Sequence, residues 1–319
     1  MEEIKISVVV PVYNISEYLD ESLGSLAAQN FPDAEFLCID DGSSDDSLSV
    51  IEKWAARDSR FVPVHKENGG VSSARNLGLT MAKGSWVMFL DGDDKYKENA
   101  LETVWRYVQE KHPDIIIFNA DTFPVSIETE EWYKKTLRFD GREYGSFSEA
   151  VLDERGSRPF TWRHVYKREV IDRLTAKYDE GLNVGEDTQF PMCVFPGAER
   201  FLFVSDCLVS YRLGRSGSAM DESAENMNLI VGQHFDTICS VAGFWKEHGF
   251  MELYGGYFLK WALKFTLLKV KALPAQQRKI RAAEFFSRIV GENGLEQYRH
   301  KTGIEGAAMW KAFRLMIKI

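Results

Sequence analysis

Three short stretches of this sequence carry side chains of the types that polar chemistry needs: Asp40-Asp41-Gly42-Ser43, Asp91-Gly92-Asp93-Asp94, and the run from Asn68 through Gly69, Gly70, Ser72, Ser73 and Arg75 to Asn76. Alternate carboxylates with a glycine between them, as in Asp91-Gly92-Asp93, can lean toward one hard cation. Mg2+ or Mn2+ takes oxygen ligands and keeps positions open for substrate phosphates, so a diphosphate is the natural substrate of such a site. The cation would there neutralise charge on a departing phosphate. The glycine-rich turn opens a helix whose backbone amides would face an anion. Arg75, one turn into that helix, would pair either with phosphate or with one of the acidic clusters.

These side chains need a scaffold, and residues 4–120 have the pattern of one. Apolar runs at Ile6 to Val12, Glu35 to Ile39, Phe61 to Val64, Trp86 to Leu90 and Ile115 to Phe118 are mostly rich in β-branched or aromatic residues and predict buried strands. Between them, helical spacing links Leu19, Leu23 and Leu26 behind Ser16 as an N-cap, then Leu48, Ile51 and Trp54 behind Asp45 or Asp46. Leu101, Val104, Trp105 and Val108 form a third stripe. This alternation predicts an α/β fold with a mainly parallel sheet flanked by helices. Ligands of such sheets bind beyond the strand carboxyl ends, which is where both acidic clusters and Pro11-Val12-Tyr13-Asn14 fall.

Residues 121–160 lose the rhythm. Helical patterning is expected again over Trp162 to Leu174, a strand over Phe201 to Tyr211, and helices only from about Ala224, interrupted at Gly249, Pro274 and Gly291 to Gly294. The expected organisation is a ligand-binding half over residues 1–120, a second half over 121–220, and a C-terminal helical extension over 221–319.

The net charge of -9 speaks against nucleic acid as a partner. That total combines a body of -18 with a tail of +9 over residues 260–319. Phe258, Trp261, Phe265 and Leu268 alternate in the tail with Lys260, Lys264, Lys269 and Lys271, a composition suited to an anionic membrane surface or to packing on the body or a second subunit as a homodimer. Cys38, Cys193, Cys207 and Cys239 have neither disulfide-framework nor metal-site spacing and are expected to be reduced. MEEIKISVVVPVY is not a signal peptide, and no stretch approaches the ~18 apolar residues of a membrane span. A cytoplasmic location, peripheral on the inner face of the membrane if the tail binds it, is the expectation.

ISVVVPVYN, FLCIDDGSSDDS, ENGGVSSARNLGL and WVMFLDGDD, in this order and spacing, resemble the nucleotide-sugar half of the family 2 glycosyltransferases, which have the GT-A fold. Asn183 to Phe190, with Glu186-Asp187 at its centre, resembles the Glu-Asp motif of that family's acceptor half, more weakly. The resemblance implies a Rossmann-like sheet and an inverting, metal-dependent transfer. Its donor is a UDP-sugar carrying a hexose or N-acetylhexosamine. The acceptor is a hydroxyl of a glycan or lipid-linked glycan, as in cell-surface polysaccharide synthesis.

It further implies that Pro11 and Tyr13 line the base pocket, that Asp41 accepts a hydrogen bond from the base with Asp40 behind it, and that Arg75 lies near the diphosphate. Asp91 would sit by ribose and metal, Asp93 would be the principal ligand of Mn2+ or Mg2+, and Asp94 an added acid. Asp187 would be the general base, with Glu186 orienting the acceptor or an arginine. Tyr211 and Arg212, followed by Gly214, Ser216, Gly217 and Ser218, resemble a tract that closes over the diphosphate in some members. Trp132, Tyr133, Trp162 and Tyr166 are either sugar-stacking rings or core. Two alternatives stand beside this reading: a sugar nucleotidyltransferase, disfavoured because PVYNISEY lacks a basic glycine-rich loop, and a catalytically silent carbohydrate-binding protein on the same fold.

Overall fold

Strand β1 (Ile6–Val12) is buried at every position, as is β2 (Ala34–Asp40), which is what a continuous apolar run requires when helices cover both faces of a sheet. β3 (Phe61–His65) is buried only at Phe61, alternates half-buried and exposed residues beyond it and contains Pro63, all tolerable because it is an edge strand. With β4 (Trp86–Phe89) these strands run parallel in the order β3-β2-β1-β4, so all four carboxyl ends share one edge. Helices α1 (Ser16–Ala27), α2 (Ser47–Ala55) and α3 (Val71–Met81) make the crossovers, and α4 (Ala100–Lys111) leads on. Leu19, Leu23 and Leu26 of α1 are fully buried in one core with Val8, Val10 and Phe36. Truncating any of those leucines to alanine is expected to cost about 2–5 kcal/mol.

Past β4 the sheet becomes mixed. β5 (Lys95–Tyr96), β6 (Ile115–Phe123), β7 (Arg142–Tyr144), β8 (His164–Lys167) and β9 (Phe201–Arg212) complete nine strands among the described residues, in the order β3-β2-β1-β4-β8-β6-β9-β5, with β7 on β9. This computed structural model describes residues 3–123, 136–154, 157, 160–214 and 227–318.

Two expectations are corrected here. Only Arg168–Leu174 (α5) of the stretch from Trp162 to Leu174 is α-helical; Thr161–Arg163 is a 3-10 turn, and β8 lies antiparallel between β4 and β6. Trp162, Val165 and Tyr166 have helical spacing, but pairing of Val165 with Met88 and Ile116 overrides it. Ser16 does not cap α1. It is the helix's first residue, and its amide donates to Asp45 Oδ2 at 2.9 Å.

By internal contacts the chain forms two units: Met1–Phe147 with Asp153–Glu180 and Gly197–Arg215, and Ser148–Leu152 with Gly181–Pro196 and Ser216–Ile319. The first holds the sheet. The second holds α6 (Glu186–Val194), α7 (Met227–Glu247), α8 (Phe250–Ala272), α9 (Ala275–Glu284) and α10 (Gly303–Lys318), with breaks at Gly249, Pro274 and around Gly291 as expected. Phe235, Trp245, Phe258, Trp310 and Phe313 are buried in this unit, where Lys260 is paired with Glu149 and Glu305. No described helix is long and apolar enough to cross a membrane. All four cysteines are unbridged thiols.

Candidate functional site

The parallel register sets the site's first layer. Val12 lies beside Asp40, and Asp40 beside His65 on β3. His65 Nδ1 is 2.6 Å from Asp40 Oδ2, so the fully buried Asp40 carboxylate faces a ring that is half exposed. One residue on, Lys66 Nζ lies 2.5 Å from Asp41 Oδ1, which also accepts from the Gly69 amide at 3.0 Å, while Oδ2 accepts from the Gly70 amide at 2.7 Å. The glycine-rich turn does face an anion, and that anion is Asp41. Tyr13 is exposed at the end of β1 and Pro11 is buried.

At the end of β4, the Leu90 amide bonds the Val9 carbonyl at 3.0 Å, and a Cβ on Gly92 would come within 3.2 Å of the Pro11 carbonyl and 2.4 Å of Ile15 Cδ1. Only glycine lets this loop pass so close to β1. Arg75, 2% exposed, donates from Nη2 to Asp91 Oδ1 at 2.9 Å and packs its guanidinium over the Tyr178 ring at 5.3 Å. Both acidic clusters are therefore tied to α3, one through its leading glycines and one through its buried arginine.

Asp94 is 1% exposed; Oδ1 accepts from the Arg212 amide at 2.7 Å, and Oδ2 finds no hydrogen-bond partner among the described residues. Burial, then the charges of Asp93 and Asp91, holds its carboxyl well above the usual carboxylate range. Arg212 works beneath the triplet, donating from Nε to the Asp93 carbonyl at 2.8 Å and pairing with Glu21. Tyr211 stacks on Trp162, with centroids 5.4 Å apart. Trp162 and Tyr166 are core residues. Trp132, Tyr133, Ser216, Gly217 and Ser218 lie outside the described residues.

Among the described residues no three His, Cys, Asp or Glu side chains are arranged to hold a metal by themselves. The donor chemistry at the end of β4 fits a partial set: carboxylate oxygens suit a hard divalent cation that takes its remaining ligands from a substrate's phosphates and water. The unpartnered Asp94 Oδ2 belongs to the same cluster.

Glu186 and Asp187 belong to the second unit, where they form the first turn of α6 beneath Gly185, whose φ is +96°. The Thr188 and Gln189 amides both donate to the Gly185 carbonyl, at 3.0 and 2.9 Å. Both acids are half-buried in the first turn of the helix.

Of the residues that matter, the sequence reading missed His65 and Lys66 as partners of the aspartates, and Tyr178 as the ring under Arg75. The first two carried a signal, since they follow β3 in step with Asp40 and Asp41. Tyr178 carried none.

A Rossmann-like sheet whose strand ends present two acidic clusters joined to a glycine-rich helix start defines an α/β protein with its polar site beyond the strand carboxyl ends. The chain belongs to glycosyl transferase family 2, whose model matches residues 7–175. It is 28% identical over 215 residues to the uncharacterized glycosyltransferase EpsJ of Bacillus subtilis, covering 65% of this chain and 60% of that one. It is 27% identical over 222 residues to the poly(ribitol-phosphate) beta-N-acetylglucosaminyltransferase TarS of Staphylococcus aureus, covering 69% of this chain and 37% of TarS. The chain thus spans less than two thirds of the length of either relative.

Residues 1–349 of S. aureus TarS in complex with UDP-GlcNAc superpose with a TM-score of 0.60 at 22% identity, covering 98% of this chain and 92% of that one. A mannosyltransferase from Pyrobaculum calidifontis, solved with GDP-Man and Mn2+, gives a TM-score of 0.53 at 16% identity, covering 98% and 87%. At these identities the superpositions speak for the GT-A-like fold alone.

Proposed function

We propose that this chain is an inverting glycosyltransferase that moves a hexose or N-acetylhexosamine from a UDP-sugar to a hydroxyl of a glycan or lipid-linked glycan, in cell-surface polysaccharide synthesis. The observation that carries the reading is the joining of both acidic strand ends to one helix: Asp41 to the Gly69 and Gly70 amides, Asp91 to Arg75. In this reading Tyr13 lies against the base above Pro11, Asp41 accepts from the base with Asp40 behind it, and Arg75 orients the diphosphate next to Asp91. Asp93, with Asp91 and the added acid Asp94, would hold Mn2+ or Mg2+, which when bound neutralises charge on the leaving diphosphate. Arg212 supports the triplet from β9, and with its neighbour Tyr211 it completes the donor-binding set.

Asp187 accepts the proton of the acceptor hydroxyl as that oxygen attacks the anomeric carbon from the face opposite the diphosphate. Glu186 orients the acceptor. The family and the placement of this pair at a helix N-terminus support that role. Peripheral contact with an anionic membrane would rest on the exposed Leu268 of the basic helices, since Phe258 is buried and Lys260 and Lys264 are ion-paired within the helical unit.

Release of UDP from a panel of UDP-sugars with Mn2+, with and without EDTA, tests the reading. Turnover that EDTA abolishes is expected. UDP binding with no turnover on any sugar would instead favour a silent binding protein. Asp187→Asn should lower turnover by a factor of about 10^2 to 10^4, the scale of a general base, with UDP affinity unchanged.

A further inference from the structure

A Cβ added to Gly185 would lie 2.2 Å from Thr237 Oγ1 of α7, so the turn into α6 is seated directly on that helix. Thr237 is fully buried; its hydroxyl donates to the Gln233 carbonyl at 3.0 Å and lies 3.4 Å from the Val184 carbonyl. The other end of α6 is held as well. Trp245 Nε1 donates to the Met192 carbonyl at 2.7 Å, and the indole is buried against Phe258, 5.0 Å between centroids. Thr237 and Trp245 stand roughly 12 Å apart along α7, close to the length of α6, so one helix grips both ends of another. Pro191 sits inside α6 and has no N–H for the Asp187 carbonyl, which removes a bond that would otherwise stiffen the first turn.

We infer that Thr237 and Trp245 are positioning residues for the Glu186-Asp187 pair, so that the first helix of the C-terminal extension belongs to the transfer machinery. The inference rests on Asp187 acting as the base. Neither residue touches substrate in this account. They fix where α6 begins and how it lies, and a small displacement of a proton acceptor costs rate without costing donor affinity.

The experiment measures kcat, UDP affinity and melting temperature for Gly185→Ala, Thr237→Ala, their double variant, Trp245→Phe and Asp187→Asn. Gly185→Ala is expected to lose at least tenfold in kcat with UDP affinity unchanged. Thr237→Ala in that background should recover part of the loss, because the clashing hydroxyl is gone. Trp245→Phe keeps the packing, drops the donor to Met192, and should lose several-fold in kcat alone. Wild-type kcat in both Gly185→Ala and Trp245→Phe beside an inactive Asp187→Asn would overturn the inference and leave the base reading standing. An active Asp187→Asn would overturn the base reading itself. If Gly185→Ala does not fold, Trp245→Phe decides by the same criteria.

Discussion

At the end of β2, Asp40 faces His65 and Asp41 receives two amides and a lysine; at the end of β4, Asp94 is just as deeply buried with one oxygen that meets no donor among the described residues. The two clusters look alike in sequence, two acids in one and three in the other, each beside a glycine after an apolar run. Their surroundings differ because of what the neighbouring elements supply. After β2 the chain returns along β3 and delivers His65, Lys66 and the glycine amides to the same edge. At the end of β4, α3, which precedes that strand, supplies Arg75 to Asp91, and β9 supplies only a backbone amide to Asp94. A buried carboxylate with its donors already in place is a piece of architecture that can also present an acceptor. One without them is expensive in the empty protein and suits a site completed by a cation.

The largest effect should separate the clusters by activity. Asp93→Asn is expected to lower cation-dependent turnover by about 10^3, roughly 4 kcal/mol of transition-state stabilisation, while leaving the melting temperature nearly unchanged. Retention of a tenth of wild-type turnover would remove the β4 end as the cation site. Asp41→Ala should cost stability as well as donor affinity. It strands the Gly69 and Gly70 amides and the Lys66 ammonium, and urea unfolding without ligand should report a loss of about 2–4 kcal/mol. Equal stability losses in the two variants would erase the distinction.

Asp94→Asn has the opposite sign. Burial and the charges of Asp93 and Asp91 raise the Asp94 pKa in the folded state, so the folded chain holds that proton more tightly than the unfolded one. Its stabilising contribution is complete below the ordinary carboxylate pKa of about 3.9 and declines as pH rises from there toward the folded value. Asparagine keeps the acceptor for the Arg212 amide and has no charge to bury. The variant should therefore melt above wild type at pH 7 without metal, with the difference closing near pH 4. A lower melting point at pH 7 would mean that the carboxylate has protein donors after all.

Both clusters could be located from sequence, because each follows a buried strand and an open parallel sheet puts such positions at one edge. Their difference could not. It depends on Lys66 lying in register one strand away, and on Arg212, which reaches Asp93 and Asp94 from the far end of β9. Helices α1, α2 and α4 and strands β1 to β4 were readable because period separates them, and α3 from the glycine-rich turn that opens it. β8 was not, because a few residues with Trp162, Val165 and Tyr166 on one face satisfy a helix until the gap between β4 and β6 demands a strand. Glu186-Asp187 was readable as a motif, while the residues that seat it, Thr237 and Trp245, lie more than 45 positions further on with no local signature.

The smallest effect tests whether the self-sufficiency of the β2 end extends along its loop. Asp45 accepts from the Ser16 amide at 2.9 Å and the Ser47 amide at 3.0 Å, so one carboxylate serves the first residues of both α1 and α2. Burial alone would raise its pKa, but the hydrogen bonds from Ser47 and Ser16 outweigh that and lower it to about 2. A depressed folded-state pKa contributes stability above the unfolded value of about 3.9 and loses it as pH falls through 2. The group is largely exposed and screened, so Asp45→Asn should cost only about 0.5–1 kcal/mol at pH 7. That cost, read from urea unfolding of the two proteins side by side, should shrink below pH 4 and vanish near pH 2. A cost that stays constant with pH would mean the two amides respond to an oxygen atom rather than to its charge, and the β2 end would then owe its completeness to geometry alone.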